Sequence, residues 1–346
     1  MANLGNEARV LVRFGWHNEF ALASLRALAS EVDLLRPDLA VSVGVPRRLA
    51  QMGLVHEVVE FLGIAAVGAV PFDPDVIVSP YAVRVHDERR FSPEERSELL
   101  SALWACAPTP RIDLDLPRTV LHAYWTPRGV AWGRRLPYAV FRPSNQQARP
   151  FVRSYVVPSR KARWLNDLAN VVAGGTVLDP FCGTGSLLLE AAKLGASVCG
   201  SDVNRDAVLG TAANLRAEGF VADLRVTDAR ARYADWGTTF DAIVTDLPYG
   251  RSAAVRARDV ETLAVQSLDA TRHSLSPDGR IVVMAPSGVL PDAPKGLAVE
   301  HRLQERVHRS LAREIVVCIA RGQDSRRTKL PGSSGAPPSE ISAAAQ

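Results

Sequence analysis

Residues 245–250 read Thr-Asp-Leu-Pro-Tyr-Gly and follow the apolar run FDAIV at 240–244. An acid, a proline and an aromatic at a strand end exceed what a turn needs, since Pro248 and Gly250 alone would make one. The set suits methyl transfer to the exocyclic amine of a nucleobase. Such an amine is conjugated and nearly planar, so its lone pair must be freed before it attacks. Two acceptors on its two N–H bonds do this: the Asp246 carboxylate and a backbone carbonyl, here that of Leu247. The same pair disperses the charge that develops on nitrogen. Tyr249 offers a face on which a base stacks, and Pro248 stiffens the turn.

A second group of residues has the types and spacing of a nucleotide site. DPFCGTG (179–185) joins an apolar strand to a helix. Glycines there let the backbone approach a ligand at the edge where parallel sheets bind nucleotides. Asp202 falls 19 residues after Gly183, at the end of the next strand, where a carboxylate suits two ribose hydroxyls. Asp228, ending the strand after that, suits an adenine amino group. The candidate cofactor-binding set is Asp179, Phe181, Gly183, Gly185, Asp202, Asp228 and Ala229. A dinucleotide is the rival ligand, but the fingerprint GxGxxG needs a third glycine and position 188 is Leu. Asp179 would also repel a pyrophosphate, whereas it welcomes the ammonium and sulfonium of S-adenosylmethionine. Strand-end acids also cap helices and turns, and that plainer reading stands beside the functional one for Asp202 and Asp228.

The elements that must position these residues follow from periodicity. From residue 176 apolar strands alternate with helices: strands at 176–181, 197–203, 223–229, 240–248 and 280–286, helices at 183–195, 204–219 and 258–275. Such alternation implies an α/β, doubly wound parallel sheet with helices on both faces. Two further strands, 297–308 and 313–320, have no helix between them and predict an antiparallel edge hairpin. The first 140 residues read as α+β, in two small units meeting near residue 70. Strands are expected at 8–14, 39–45 and 81–86, a helix over 17–32, a helix opened by Ser92-Pro93, and a hairpin across 119–136. The text after Arg321 is poor in core residues and predicts disorder.

Composition is that of an ordinary globular chain, with 47% apolar and 23% charged residues. No apolar run of the length of a membrane span occurs, and the N-terminus lacks the pattern of a signal peptide. The four cysteines are scattered, with no CxxC pair and no His at ligand spacing, so neither a metal site nor a disulfide framework is expected. A reducing cytoplasm fits. The net charge of +4 decides little, but its distribution is uneven. From Arg134 to Arg163 there are eight Lys/Arg and no acid, interleaved with Tyr138, Phe141, Phe151 and Tyr155. Cations neutralise phosphates and rings stack on bases; a solvated linker is the plainer reading. The candidate RNA-contacting residues are Arg134, Arg135, Arg142, Arg149, Arg153, Arg160, Lys161 and, after the catalytic turn, Arg251.

Taken together, DPFCGTGSLLLEAA, GSDVN, TDLPYG and RVHRSLAREIVV resemble the class I methyltransferases that methylate N2 of guanosine in RNA. The pattern is most similar to the archaeal tRNA guanosine-10 N2-methyltransferases. Across 71–140, YAVRVH, the following helix, an Asp-Leu-Pro segment and the hairpin resemble a THUMP domain. The resemblance implies an N-terminal ferredoxin-like unit (1–70), a THUMP RNA-binding unit (71–140), a basic linker and helix (141–172), a Rossmann-like methyltransferase domain (173–321) and a tail (322–346). It further implies that Asp246 is catalytic, that S-adenosylmethionine is the methyl donor, and that tRNA is the partner. N2-methylguanosine, or its dimethyl counterpart, would be the product. One departure is Leu247, where the family commonly has proline; the backbone carbonyl survives that change. The rivals are N2-methylation of another RNA guanosine, at tRNA position 6 or in ribosomal RNA, DNA adenine-N6 methylation, and non-catalytic RNA binding.

Overall fold

The computed structural model describes residues 7–14, 18–106, 111–153, 156–248, 257–308 and 311–320. The sequence opens with β1 (Ala8–Phe14), α1 (Asn18–Leu28), β2 (Glu31–Arg36), β3 (Leu39–Gly44), α2 (Pro46–Ala50) and the long β4 (Val55–Ala65). The helix expected over 17–32 stops at Leu28. The Ala29 amide still donates to the Leu25 carbonyl, but that of Ser30 donates to Val43 on β3. The backbone thus leaves the helix for the sheet, and β2 starts one residue later. Next come β5 (Tyr81–His86), α3 (Pro93–Cys106), β6 (Thr119–Thr126) and β7 (Gly129–Arg135). A reciprocal capping box starts α3: the Ser92 hydroxyl accepts from the Glu95 amide, and the Glu95 carboxylate accepts from the Ser92 amide.

These seven strands form one sheet in the order β2-β3-β1-β4-β7-β6-β5. Strand β4 makes it continuous. Its first part pairs antiparallel with β1, and its second part pairs antiparallel with β7. Residues on either side of position 70 therefore share a single sheet. One side of it packs α1 and α2 over Val10, Val12 and Val58; farther along, α3 lays Leu99 and Leu103 against Leu121, Ala123 and Trp132.

Helix α4 (Ser159–Leu168) ties this half to the second sheet. Trp164 packs on Phe20 of α1, with ring centroids 4.9 Å apart and the planes tilted by 36°, and donates its indole N–H to the Phe20 carbonyl. The buried Asp167 carboxylate accepts from the Gly53 amide at 2.8 Å, and Arg160 donates to the Gly53 carbonyl at 2.6 Å. Burial pushes Asp167 up to about 7, against the pull of that amide and of Arg163 and Arg48.

The remaining elements are β8 (Thr176–Asp179), α5 (Ser186–Lys193), β9 (Ser197–Asp202), α6 (Arg205–Ala217), β10 (Asp223–Val226), β11 (Phe240–Asp246), α7 (Ala257–Arg272), β12 (Leu275–Pro286), β13 (Leu297–His308) and β14 (Leu311–Ala320). Their sheet runs β10-β9-β8-β11-β12-β14-β13. Strands β10 through β12 are parallel; β14 enters antiparallel to β12 and pairs antiparallel with β13. The expected doubly wound sheet with an antiparallel edge hairpin is what forms. Alternation along the strands divides the core as the two-residue period requires. Val244, Val282, Met284 and Val317 face α4 and α5 on one side; Ile243, Ile281, Val283 and Cys318 face α7 on the other. Among the described residues no helix is long and apolar enough to cross a membrane.

Candidate active site

All four acids singled out in the sequence lie at or just beyond the carboxyl ends of parallel strands: Asp179 on β8, Asp202 on β9, Asp228 just past β10 and Asp246 on β11. Parallel strands point every carboxyl end the same way, which is why residues 67 positions apart in sequence share one edge.

Between β8 and α5 the chain passes through Gly183 (φ +52°) and Gly185 (φ +79°), both left-handed. A Cβ on Gly185 would meet Thr211 Cγ2 at 2.7 Å, so strain and space both demand glycine there. A Cβ on Gly183 would come near only the Phe181 carbonyl, at 3.8 Å. The backbone on that side is therefore open to close approach. Asp202 holds this loop to the sheet: Oδ2 accepts the Gly183 amide at 3.1 Å and Oδ1 accepts the Asn204 amide at 2.9 Å. Each carboxylate oxygen retains a second lone pair for a hydroxyl.

Asp179 is buried, and its Oδ1 accepts from the Phe181 amide (3.0 Å) and the Thr245 hydroxyl (2.7 Å). Burial pushes its carboxyl up to about 7, and the negative charges of Asp246 and Asp202 push the same way. Such a concentration of negative charge repels a pyrophosphate and favours a cation. The loop, the ribose-ready Asp202 and the anionic edge fit S-adenosylmethionine. Asp228 is already engaged: both its oxygens accept from the Arg230 guanidinium, at 2.8 and 2.6 Å. Hydrogen bonds from Arg230 hold it down to about 2. Ala229 beside it is buried, and Phe181 is half-buried.

A pH dependence of cofactor affinity follows. The cation prefers ionised Asp179, and the ionised fraction grows as pH rises through about 7. Affinity for S-adenosylmethionine is expected to rise roughly tenfold between pH 6 and pH 8, because apparent affinity scales with the competent fraction. Calorimetric titration across that range checks this, and Asp179→Asn should flatten the profile.

Asp246 ends β11 with its side chain largely buried. The guanidinium of Arg313 on β14 bonds to Asp246 Oδ1. Burial raises the Asp246 carboxyl to about 6, while Arg313 and Lys161 pull it down and Glu305 pushes it up. Leu247 is buried, its amide donating to the Met284 carbonyl at 2.9 Å, which extends the β11–β12 pairing into the turn that follows. Pro248 follows it, half-buried. Tyr249 and Arg251 lie outside the described residues, as does the tail at 322–346.

The basic stretch is placed differently from a uniform phosphate-binding face. Arg149 is buried and donates to the Ser186 hydroxyl at 2.9 Å, which corrects the expectation that it contacts RNA. Arg134 pairs with Glu60, and Lys161 with Glu305, both at 2.6 Å. Arg163, counted in the same run, is buried against Glu190. Arg163 and Arg160 lie over the ring of buried Phe141, and Arg153 lies over Phe151. Arg135 and Arg142 are exposed. Much of the charge thus fastens the linker to its surroundings.

The sequence reading missed three residues around Asp246: Arg313, Lys161 as a neighbour of the site, and Glu305. A signal was present, because Arg313-Glu314 is a charged pair opening the apolar strand IVVCIA. Two histidines remote in sequence also meet in space. Strands β4, β5 and β6 bring Glu57, His86 and His122 together, with ligand atoms within 4.8 Å. The His86 Nε2 to His122 Nδ1 distance is 3.0 Å, the rings are nearly parallel, and their centroids lie 5.2 Å apart. His122 Nδ1 also lies 3.1 Å from Glu57 Oε1, so the three groups form one polar cluster. Tyr124 extends the chain by donating to Glu57 at 2.6 Å.

Sheet order, glycine loop and strand-end acids define a Rossmann-like class I methyltransferase domain. Residues 148–315 match the UPF0020 family, an RMKL-like methyltransferase domain. The chain is 34% identical over 213 residues to a tRNA (guanine(10)-N2)-dimethyltransferase of Methanothermobacter thermautotrophicus; the match covers 60% of this chain and 63% of that protein. It is 34% identical over 226 residues to the protein of that name from Pyrococcus abyssi, covering 61% of this chain and 65% of the relative. The chain thus spans somewhat less than two thirds of the length of these relatives. The crystal structure of TrmN from Thermus thermophilus is similar with a TM-score of 0.48 and 19% identity, covering 90% of this chain and 99% of that one.

Proposed function

We propose that the chain transfers a methyl group from S-adenosylmethionine to the N2 amine of a guanosine in tRNA, with position 10 as the target. The product is N2-methylguanosine and, where the monomethylated amine rebinds, the dimethyl nucleoside. The observation that carries this reading is the Asp246 carboxylate at the end of β11, on the same strand-end edge as the glycine loop, with its backbone held to β12. When bound, the cofactor supplies an electrophilic methyl group on a sulfonium. Asp246 and the Leu247 carbonyl accept the two N–H bonds of the amine and aim its lone pair at that methyl. As nitrogen bonds to carbon and gains charge, the carboxylate stabilises it and is placed to take the proton that the amine must lose. A base inside a helix must first leave its stack, and Tyr249 is the stacking face in this reading.

The printed names of both archaeal relatives support tRNA and position 10. The N-terminal half is read as a ferredoxin-like unit and a THUMP unit that grip the tRNA, with Arg135 at its end and Arg142 in the linker among the exposed cations. A tRNA substrate fits a cytoplasmic enzyme. Position is tested with unmodified tRNA transcripts and labelled S-adenosylmethionine. Label is expected on a transcript with guanosine at position 10 and lost when adenosine replaces it. Undiminished label on the replaced transcript overturns position 10.

A further inference from the structure

We propose that Arg313 is a positioning residue for the reaction, fixing Asp246 by one carboxylate oxygen so that the other is presented to the substrate amine. This rests on the reading of Asp246 given above. Arg313 sits on β14, two strands away from β11, with β12 between them. In register, Asp246 faces Met284 on β12, and Met284 faces Ile315 on β14, two residues from Arg313. Only a long side chain bridges that gap, and the guanidinium ends on Asp246 Oδ1. The Arg313 side chain is 5% exposed, so the pair is shielded from water and salt. That leaves Oδ2 for the amine.

A competitor for Arg313 is present and is neutralised. Glu305 lies directly opposite Arg313 in the β13–β14 pairing. Lys161 from α4 binds both Glu305 oxygens, at 2.6 and 2.7 Å. With Glu305 held by Lys161, Glu305 does not draw Arg313 away from Asp246. Among the described residues, the charged groups that face Asp246 are Arg313 from β14, Lys161 from α4, Glu305 from β13 and Asp179 from β8. Two are cations and two are anions, so loss of either cation leaves Asp246 in a net negative, buried setting. Protonated Asp246 accepts poorly from the amine, and the consequence is a shifted pH–rate profile.

The test is the pH dependence of single-turnover methyl transfer by the full chain in wild type, Arg313→Met, Arg313→Lys and Lys161→Met. Alongside it, Asp246 is titrated directly by carbon-13 carboxyl NMR without RNA, assigned with Asp246→Asn. Arg313→Met is expected to move the acid limb upward by roughly one to three pH units, with the rate recovering on the alkaline side. Arg313→Lys should bring the limb most of the way back to the wild-type position, and Lys161→Met should give a smaller upward shift. A loss of rate at every pH with an unmoved limb would overturn the proposal, as would an Asp246 midpoint indifferent to Arg313. The NMR titration separates the two readings. If the midpoint moves but the wild type methylates no guanosine N2, the proposed function fails and the Arg313–Asp246 relation stands.

Discussion

Asp246→Asn is expected to lower methyl transfer by about a hundred- to a thousandfold, the cost of removing one preorganised charge-stabilising acceptor, and to leave cofactor binding nearly unchanged. The substitution is isosteric, so the turn and the β11–β12 pairing survive. Arg313, which bonds Asp246 Oδ1 in the native chain, is a donor only. It will hold the amide oxygen and turn the NH2 group toward the substrate, where donor then meets donor. The Leu247 carbonyl is left as the single acceptor, and the developing charge on nitrogen has no counterion. In the native chain the same logic gives a pH limb. Burial pushes Asp246 up to about 6, so transfer falls as pH drops through that value and the carboxylate is protonated. Single-turnover rates with labelled cofactor measure both effects, and calorimetry checks that binding persists. An Asp246→Asn enzyme that retains full rate removes the carboxylate from the mechanism.

Glu190→Gln should be the most destabilising of the conservative changes considered. Glu190 is fully buried in α5, where Oε2 accepts from Arg163 Nε and a terminal guanidinium nitrogen at 3.2 and 2.9 Å, and Oε1 accepts from the Ser159 hydroxyl at 2.7 Å. The amide takes away the hydrogen-bonded counter-charge of the buried Arg163 guanidinium and leaves only the more distant Asp167, a loss of about 3–5 kcal/mol. That is a large part of the total stability of an ordinary domain. Because α4 carries both Arg163 and Lys161, the damage should reach the active site. Urea unfolding of wild type and variant measures the difference. The double variant Arg163→Met/Glu190→Met should recover most of it, because replacing both charges by apolar groups removes the unpaired ion. A double variant no better than the single one contradicts this account.

The catalytic half was legible because each of its signals is local. Strands such as IVVMAP and helices closed by Gly195 and Gly219 announce themselves within a few residues, and parallel strands then force Asp179, Asp202 and Asp246 onto one edge. The continuity of the N-terminal sheet was not legible. Strand β4 pairs with β1 on one side and with β7 on the other, and no neighbouring residue records a partner some 70 positions away. The end of α1 was missed for a related reason: the apolar spacing runs on past Leu28, but the Ser30 amide is claimed by Val43. In the basic run, composition showed charge without showing its partners. Glu60, Glu190 and Glu305, which take up Arg134, Arg163 and Lys161, are remote in sequence. An acid amid the apolar helix text LLLEAA was the one hint that a cation had to be buried beside it. Arg313 showed as a charge opening IVVCIA, but its partner did not, since that depends on the order of strands in the sheet.

The central claim is that the strand-end carboxylate directs methyl transfer to an exocyclic amine of guanosine. Its most direct test is mass spectrometry of nucleosides from unmodified tRNA incubated with the protein and isotopically labelled S-adenosylmethionine. The account predicts the labelled methyl on N2 of guanosine, and no label with Asp246→Asn. Label on a ring nitrogen, on adenosine N6 or on a ribose oxygen would contradict it.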